Sequence, residues 1–177
     1  MNIVLVGYRC SGKTVVGKLL AAELARSFVD TDTAIEEDAG ASIESIITEK
    51  GWPCFRDLEK AMVRKLAQED NLVIATGGGV VLDDENVRNL QKGGWIVWLQ
   101  GRPEILRERM TKDMRSGRHR PSLSGTDPLQ EVERVLRNRS RLYEQAGDYT
   151  VHTDHRTPEA VADIIMRAVP HEAPHRG

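Results

Sequence analysis

Apolar residues in this chain come in short unbroken runs, separated by longer stretches in which they recur every three or four positions. The runs are Ile3 to Val6, Phe28-Val29, Leu72 to Ala75, Trp95 to Leu99 and Tyr149 to Val151, and each is predicted to be a β-strand. Most are continuous rather than alternating, as expected of strands covered on both faces of a parallel sheet. Between them the spacing predicts helices. Residues 13–26 place apolar side chains at Val16, Leu19, Leu20 and Leu24, and residues 53–69 at Phe55, Leu58, Met62 and Leu66. Further helices are predicted over 83–92, 103–113, 128–146 and 157–169, the last opened by Thr157-Pro158-Glu159, an N-cap followed by proline at the first helical position. Strand and helix alternate along the chain, which predicts an α/β fold with a parallel sheet and helices on both faces.

Two stretches depart from this pattern. Residues 114–127, MRSGRHRPSLSGTD, are polar and carry glycine, proline and serine between two helices. They read either as a mobile lid, over about 112–126, or as a plain surface connection. Residues 170–177, PHEAPHRG, read as a flexible tail after a single domain of residues 1–169. No repeat or linker divides the chain.

Composition narrows the classes. A chain of 177 residues, 40% hydrophobic and with a formal net charge of −2, fits one soluble globular domain and is not a general trap for polyanions. The apolar runs fall well short of the ~20 residues that span a bilayer, and the first residues enter a strand with no signal-peptide pattern. Cys10 and Cys54, the two cysteines, do not make a disulfide framework. A cytoplasmic protein with no membrane partner is expected.

The segment GYRCSGKT, Gly7 to Thr14, has the phosphate-loop spacing G-x-x-x-x-G-K-[ST], follows the first strand and opens a helix. In that setting the backbone amides around Cys10, Ser11, Gly12 and Lys13 converge on an anion. Lys13 adds a cation for the β- and γ-phosphates of ATP, and the Thr14 hydroxyl is a ligand for Mg²⁺. Cys10, beside Lys13 and a helix N-terminus, is either an acidified thiol in this loop or a small buried hydrophobe.

A phosphate loop alone leaves switch proteins, motors and kinases open. Asp30-Thr31-Asp32 ends the second strand, and strand alternation predicts both carboxylates on one face at the carboxyl end of the sheet. One suits Mg²⁺ and the other a hydroxyl proton; the plain alternative is a pair of helix N-cap acids. Thr76-Gly77-Gly78-Gly79 ends the strand at 72–75, giving either a backbone surface for close ligand approach or a loose turn. That strand ends without an acid, which shifts the metal role toward Asp30. Arg56 and Glu59 in FRDLE are spaced for a surface ion pair, or Arg56 is a fork for a substrate carboxylate. Ten arginines lie between Arg102 and Arg141, but no Trp, Tyr or Phe precedes Tyr143 there, so the base-stacking platforms of a nucleic-acid binder are missing. Arg115, Arg118 and Arg120 are placed to close over a transferring phosphoryl group if residues 114–127 act as a lid.

Taken in order, GYRCSGKT, FVDTD, GASIESII, FRDLE, ATGGG, RPSL and RNRSRLY resemble the shikimate kinase family over residues 1 to about 169. The resemblance implies a three-layer phosphate-loop kinase fold with five parallel strands in the order 2-3-1-4-5. It implies Mg²⁺-dependent transfer of the γ-phosphate of ATP to the 3-hydroxyl of shikimate, in aromatic amino-acid biosynthesis, by a monomer with no nucleic-acid partner. By the same resemblance Lys13 and Thr14 are the phosphate-loop lysine and the Mg²⁺ hydroxyl, Asp30 supports the metal, and Asp32 binds the acceptor hydroxyls and is the candidate base. Arg56 and Arg139 grip the acceptor carboxylate, and Gly77, Gly78 and Gly79 form the backbone platform. Arg120 of RPSL is the lid arginine, while Arg109 and Arg156 lie beside the adenine. The chain departs from the family at Cys10, where glycine is common, at Trp52, where glutamate is usual, and at Ser122, where leucine is usual. A gluconate kinase or another small-molecule kinase is the nearest alternative, separated by the Arg56–Arg139 clamp and the triple glycine. A nucleotide-gated binding module is the other; no N-K-x-D motif occurs and such a module has no need of Asp32.

Overall fold

The computed structural model describes residues 1–115 and 128–170. Five strands, β1 (Asn2–Val6), β2 (Ser27–Asp30), β3 (Leu72–Ala75), β4 (Gly94–Gln100) and β5 (Tyr149–His152), form one sheet in the order β2-β3-β1-β4-β5. Every neighbouring pair is parallel, with Ile3 opposite Val73 on one side and Trp95 on the other. This is the strand order that the resemblance implies.

The unbroken apolar runs follow from burial on both faces. Val4 and Val6 of β1 pack with Ile74, Ile96 and Trp98 on one face, under α3 (Ile43–Leu66), α4 (Asp84–Gly93) and α6 (Pro128–Ala146). Ile3 and Leu5 pack with Val73, Val97 and Leu99 on the other face, under α1 (Lys13–Glu23) and α7 (Pro158–Ala168). A third cluster, Tyr8 with Leu106, Met110, Val132, Val135 and Leu136, fastens α5 (Pro103–Arg115) and α6 together beside the end of β1.

Two features escape the apolar pattern. Helix α2 (Thr31–Ala39) is short and acidic, and only Thr31 and Ile35 in it are buried. Helix α3 begins at Ile43, at the helix start that GASIESII implies by resemblance and well before the residue 53 expected from apolar spacing, behind an N-cap at Ser42 whose hydroxyl accepts from the Ser45 amide. It is broken at Gly51, whose φ of 79° and ψ of 169° interrupt the helix before Pro53 restarts it. The expected helix at 53–69 is therefore the second half of α3. The expected lid overlaps the end of α5 at residues 112–115, and residues 116–127 lie outside the described residues.

Candidate functional site

At the carboxyl end of the sheet, the chain leaves β1 through Gly7 at a φ of 143°, where an added Cβ would stand 2.6 Å from the Leu99 carbonyl oxygen. Only glycine lets the loop pass this close to β4. Cys10 takes a φ of 60°, a conformation that costs a non-glycine residue, and Gly12 at 103° caps α1. Lys13 is buried, and its Nζ donates to the carbonyls of Gly7 (2.8 Å) and Tyr8 (2.9 Å), clasping the loop on itself. The Ser11 hydroxyl is buried in this loop without a protein partner among the described residues. The Cys10 thiol donates toward the Asp113 carboxylate at 3.6 Å and packs beside the Tyr8 cluster.

The two acids of FVDTD do not share a strand face. β2 ends at Asp30, whose Oδ1 accepts the Asp32 amide (3.1 Å) and caps α2, so Asp32 belongs to the first helical turn. Strand alternation stops where that cap begins. Asp30 Oδ2 accepts the Thr14 hydroxyl (2.8 Å), joining the end of β2 to the start of α1. A hydroxyl and a carboxylate side by side at an anion loop make a hard-oxygen donor set, which suits Mg²⁺. Asp32 instead lies against Gly77, where a Cβ would meet its Oδ1 at 2.7 Å.

Beside the loop is a cavity of about 320 Å³. Its polar lining includes Arg9, Asp32, Arg56, Glu59, Arg139 and the three glycines 77–79, and its apolar side includes Ile43, Ile47, Trp52 and Phe55. Arg56 pairs with Glu59 Oε2 (2.5 Å), a carboxylate that is buried rather than on the surface, and it also lines the cavity. Its guanidinium stands 5.3 Å from the Trp52 ring centroid and 5.1 Å from that of Phe55, beside the edge-to-face pair that these two rings form. Burial pushes the Glu59 carboxyl above its ordinary range, and the Arg56 charge pulls against that rise. The glycine turn is ordered by its own hydrogen bonds. The Thr31 hydroxyl accepts from the Gly77 amide (2.9 Å), and the Gly78 carbonyl accepts from both Arg139 Nη1 (3.0 Å) and the Tyr143 hydroxyl.

On the β5 side, Arg109 donates to the hydroxyl (3.0 Å) and carbonyl (2.6 Å) of Thr153 and reaches the Cys10 carbonyl at 3.5 Å. Arg156 donates to the His152 carbonyl (2.7 Å). Both arginines thus stand where the chain leaves β5, apart from the cavity lining. Arg120, Arg118 and Ser122 lie outside the described residues. A second cavity of about 660 Å³, bordered by Arg102, Glu104, Arg137 and Asp154, is lined by none of the expected site residues.

Sequence reasoning missed three contributors. Arg9 extends from the phosphate loop to Glu131 (2.8 Å), a buried carboxylate at the start of α6. Trp52 sets its ring against Arg56, and Tyr143 supports Gly78. Arg9 and Glu131, like Tyr143 and Gly78, are far apart in sequence and carry no local signal; only the spacing of Trp52 and Arg56 on one helix could have suggested contact.

A family model described as shikimate kinase matches residues 9–170. A shikimate kinase of Symbiobacterium thermophilum is 45% identical over 167 residues, covering 94% of each chain. One from Caldanaerobacter subterraneus subsp. tengcongensis is 42% identical, covering 94% of this chain and 95% of its own. The solved structure of a shikimate kinase from Acinetobacter baumannii in complex with shikimate superimposes with a TM-score of 0.87 at 34% identity, over 94% of this chain and 91% of that one. With the strand order, the phosphate loop and the arginine-lined cavity in one molecule, the chain belongs to the shikimate kinase family.

Proposed function

We propose that this chain transfers the γ-phosphate of ATP to the 3-hydroxyl of shikimate, with ADP as the second product and Mg²⁺ as the metal. The observation that carries this reading is the cavity in which Asp32, Arg56 and Arg139 converge against the phosphate loop. Two guanidiniums suit the acceptor carboxylate, which a planar fork binds through paired hydrogen bonds. Asp32, which lines the same cavity, takes the proton of the attacking hydroxyl as the oxygen–phosphorus bond forms and the bond to ADP breaks. The glycine turn offers backbone amides to the ring hydroxyls.

Lys13 and the loop amides hold the phosphates, with Arg109 and Arg156 on the nucleotide side and Arg120 as the phosphate contact from RPSL. Thr14 and Asp30 would hold Mg²⁺, which when bound neutralises phosphate charge. The chain's own work is then positioning and charge balance. Among the described residues no helix is long and apolar enough to cross a membrane, and the exposed large hydrophobics, Val15, Leu82 and Tyr149, are scattered. In this reading the chain acts as a monomer in the cytoplasm.

The test is a coupled ADP-release assay with shikimate, gluconate, nucleoside monophosphates or no acceptor, with and without Mg²⁺. Release with shikimate alone is expected, and only with Mg²⁺. Release driven by gluconate or a nucleoside monophosphate in its place would overturn the assignment of the acceptor.

A further inference from the structure

Tyr143 is among the most deeply buried side chains in the molecule. Its ring stacks on Trp98 of β4, with centroids 5.9 Å apart and planes at 23°, so its direction is fixed by the core. A phenylalanine would pack there equally well. What the tyrosine adds is a hydroxyl, and that hydroxyl donates to the Gly78 carbonyl. Burial pushes the phenol to about 12, with Arg139 acting in the opposite direction, so the donor keeps its proton through the neutral range.

The Gly78 carbonyl carries a second donor, Arg139 Nη1. Around it, three other polar groups of the turn are also committed: the Gly77 amide to Thr31, the Gly77 carbonyl to the Val80 amide, and the Gly79 carbonyl to the Leu82 amide. Among the described residues, the amides of Gly78 and Gly79 have no acceptor, and both glycines line the cavity. Three glycines in a row have no side chains to fix these peptide planes. The plane that lacks a local constraint is the one between Gly78 and Gly79, and its carbonyl is what Tyr143 and Arg139 hold from outside.

We propose that Tyr143 is a positioning residue for acceptor binding: its hydroxyl fixes the Gly78 carbonyl, which orients the neighbouring amides toward the acceptor and holds Arg139 at the cavity wall. The inference rests on the reading of this cavity as the acceptor site. A site presented by backbone amides is only as well ordered as the groups that support it. The shared carbonyl also links two parts of the pocket, because the nitrogen that Arg139 gives to Gly78 sets the direction of the rest of its fork.

Tyr143→Phe removes only the hydroxyl. The loss of one hydrogen bond from a doubly bonded carbonyl is expected to raise the shikimate KM about five- to tenfold. The ATP KM should stay within about twofold, since the phosphate loop is untouched. p-Aminophenylalanine at position 143 keeps a donor and is expected to restore the shikimate KM. An amide readout needs no turnover: the ¹⁵N resonance of Gly79, whose peptide carbonyl loses a donor, should shift in Tyr143→Phe. A wild-type chain that releases no ADP with shikimate would sink the proposed reaction, and the Gly79 resonance would then decide this inference alone. Unchanged KM values, an equal rise for ATP and shikimate, failure of the donor-keeping variant to rescue, or an unmoved Gly79 resonance would each overturn it.

Discussion

Replacing Gly79 with alanine should disable acceptor binding while sparing most of the fold. Gly79 sits at a φ of −103° and a ψ of 0°, which an L-residue adopts, so the added methyl does not strain the backbone. What the methyl meets is the Arg56 guanidinium, at 2.4 Å from Nη2, 2.6 Å from Nη1 and 2.8 Å from Cζ. Non-bonded heavy atoms rest at ~3.5 Å, so the guanidinium must retreat by about 1 Å. Because it is the end of a long flexible side chain, that retreat costs the fold little. The cost to binding is larger, since a two-pronged contact with a carboxylate depends on its geometry. A hydrogen bond to a charged group contributes about 1.5–3 kcal/mol, which corresponds to about a 10- to 150-fold rise in shikimate KM. The move also loosens the Arg56–Glu59 pair, so a fall in Tm of about 2–4 °C is expected, the equivalent of ~1 kcal/mol in a chain of this size. Initial rates against shikimate at saturating ATP, with a thermal melt of the same sample, measure both. A folded variant with an unchanged shikimate KM would refute the reasoning, because Arg56 would then have moved without the acceptor noticing. A collapse of the melt would refute the other half, by showing that the turn has no room to adjust.

Lys13→Ala should abolish transfer, and because Nζ clasps two loop carbonyls the Tm should also fall by a few degrees while unfolding stays cooperative; loss of the transition altogether would make the clasp essential to the fold. Asp32→Asn should lower turnover about 10²- to 10⁴-fold with ATP affinity nearly intact, and near wild-type turnover in that variant would remove Asp32 from the chemistry. Glu59 has its folded pKa raised by burial, so its contribution to stability is fully present below the ordinary 4.5 and is lost as the pH climbs through the raised value. Glu59→Gln should therefore gain in Tm relative to the parent as the pH rises across that window, and parallel Tm curves would count against a buried ionising carboxylate.

The sheet was legible because its inner strands are covered twice. Ile3 to Val6, Leu72 to Ala75 and Trp95 to Leu99 have no solvent face, so their sequences have no polar phase. The acidic helix α2 was not legible, because TDTAIEEDA buries too little to show a period. The sequence brought the phosphate loop, Arg56, Arg139 and the triple glycine into view as separate motifs, and the fold gathers the last three around one cavity. It misled at FVDTD, where a capping carboxylate ends the strand at Asp30, two residues before Asp32. The support of the site was hidden for a different reason. Arg9 meets Glu131 across 122 residues and Tyr143 meets Gly78 across 65, and such contacts leave no trace in local spacing.

The central position of β1 has a consequence for the order of assembly. β1 comes first in sequence, yet Ile3 finds its two neighbours only at Val73 and Trp95. As the chain emerges during synthesis, the strand that carries the phosphate loop must wait unpaired until β3 and then β4 have followed it. Contacts that distant slow folding, since the intervening loop has to close before they form. Gly7 reinforces the delay, because the surface it presses against is the Leu99 carbonyl near the end of β4. The nucleotide loop is thus the earliest part of the site to be made and among the last to acquire its shape. A nascent chain halted before β4 would carry the complete GYRCSGKT motif and lack the strand against which Gly7 is set.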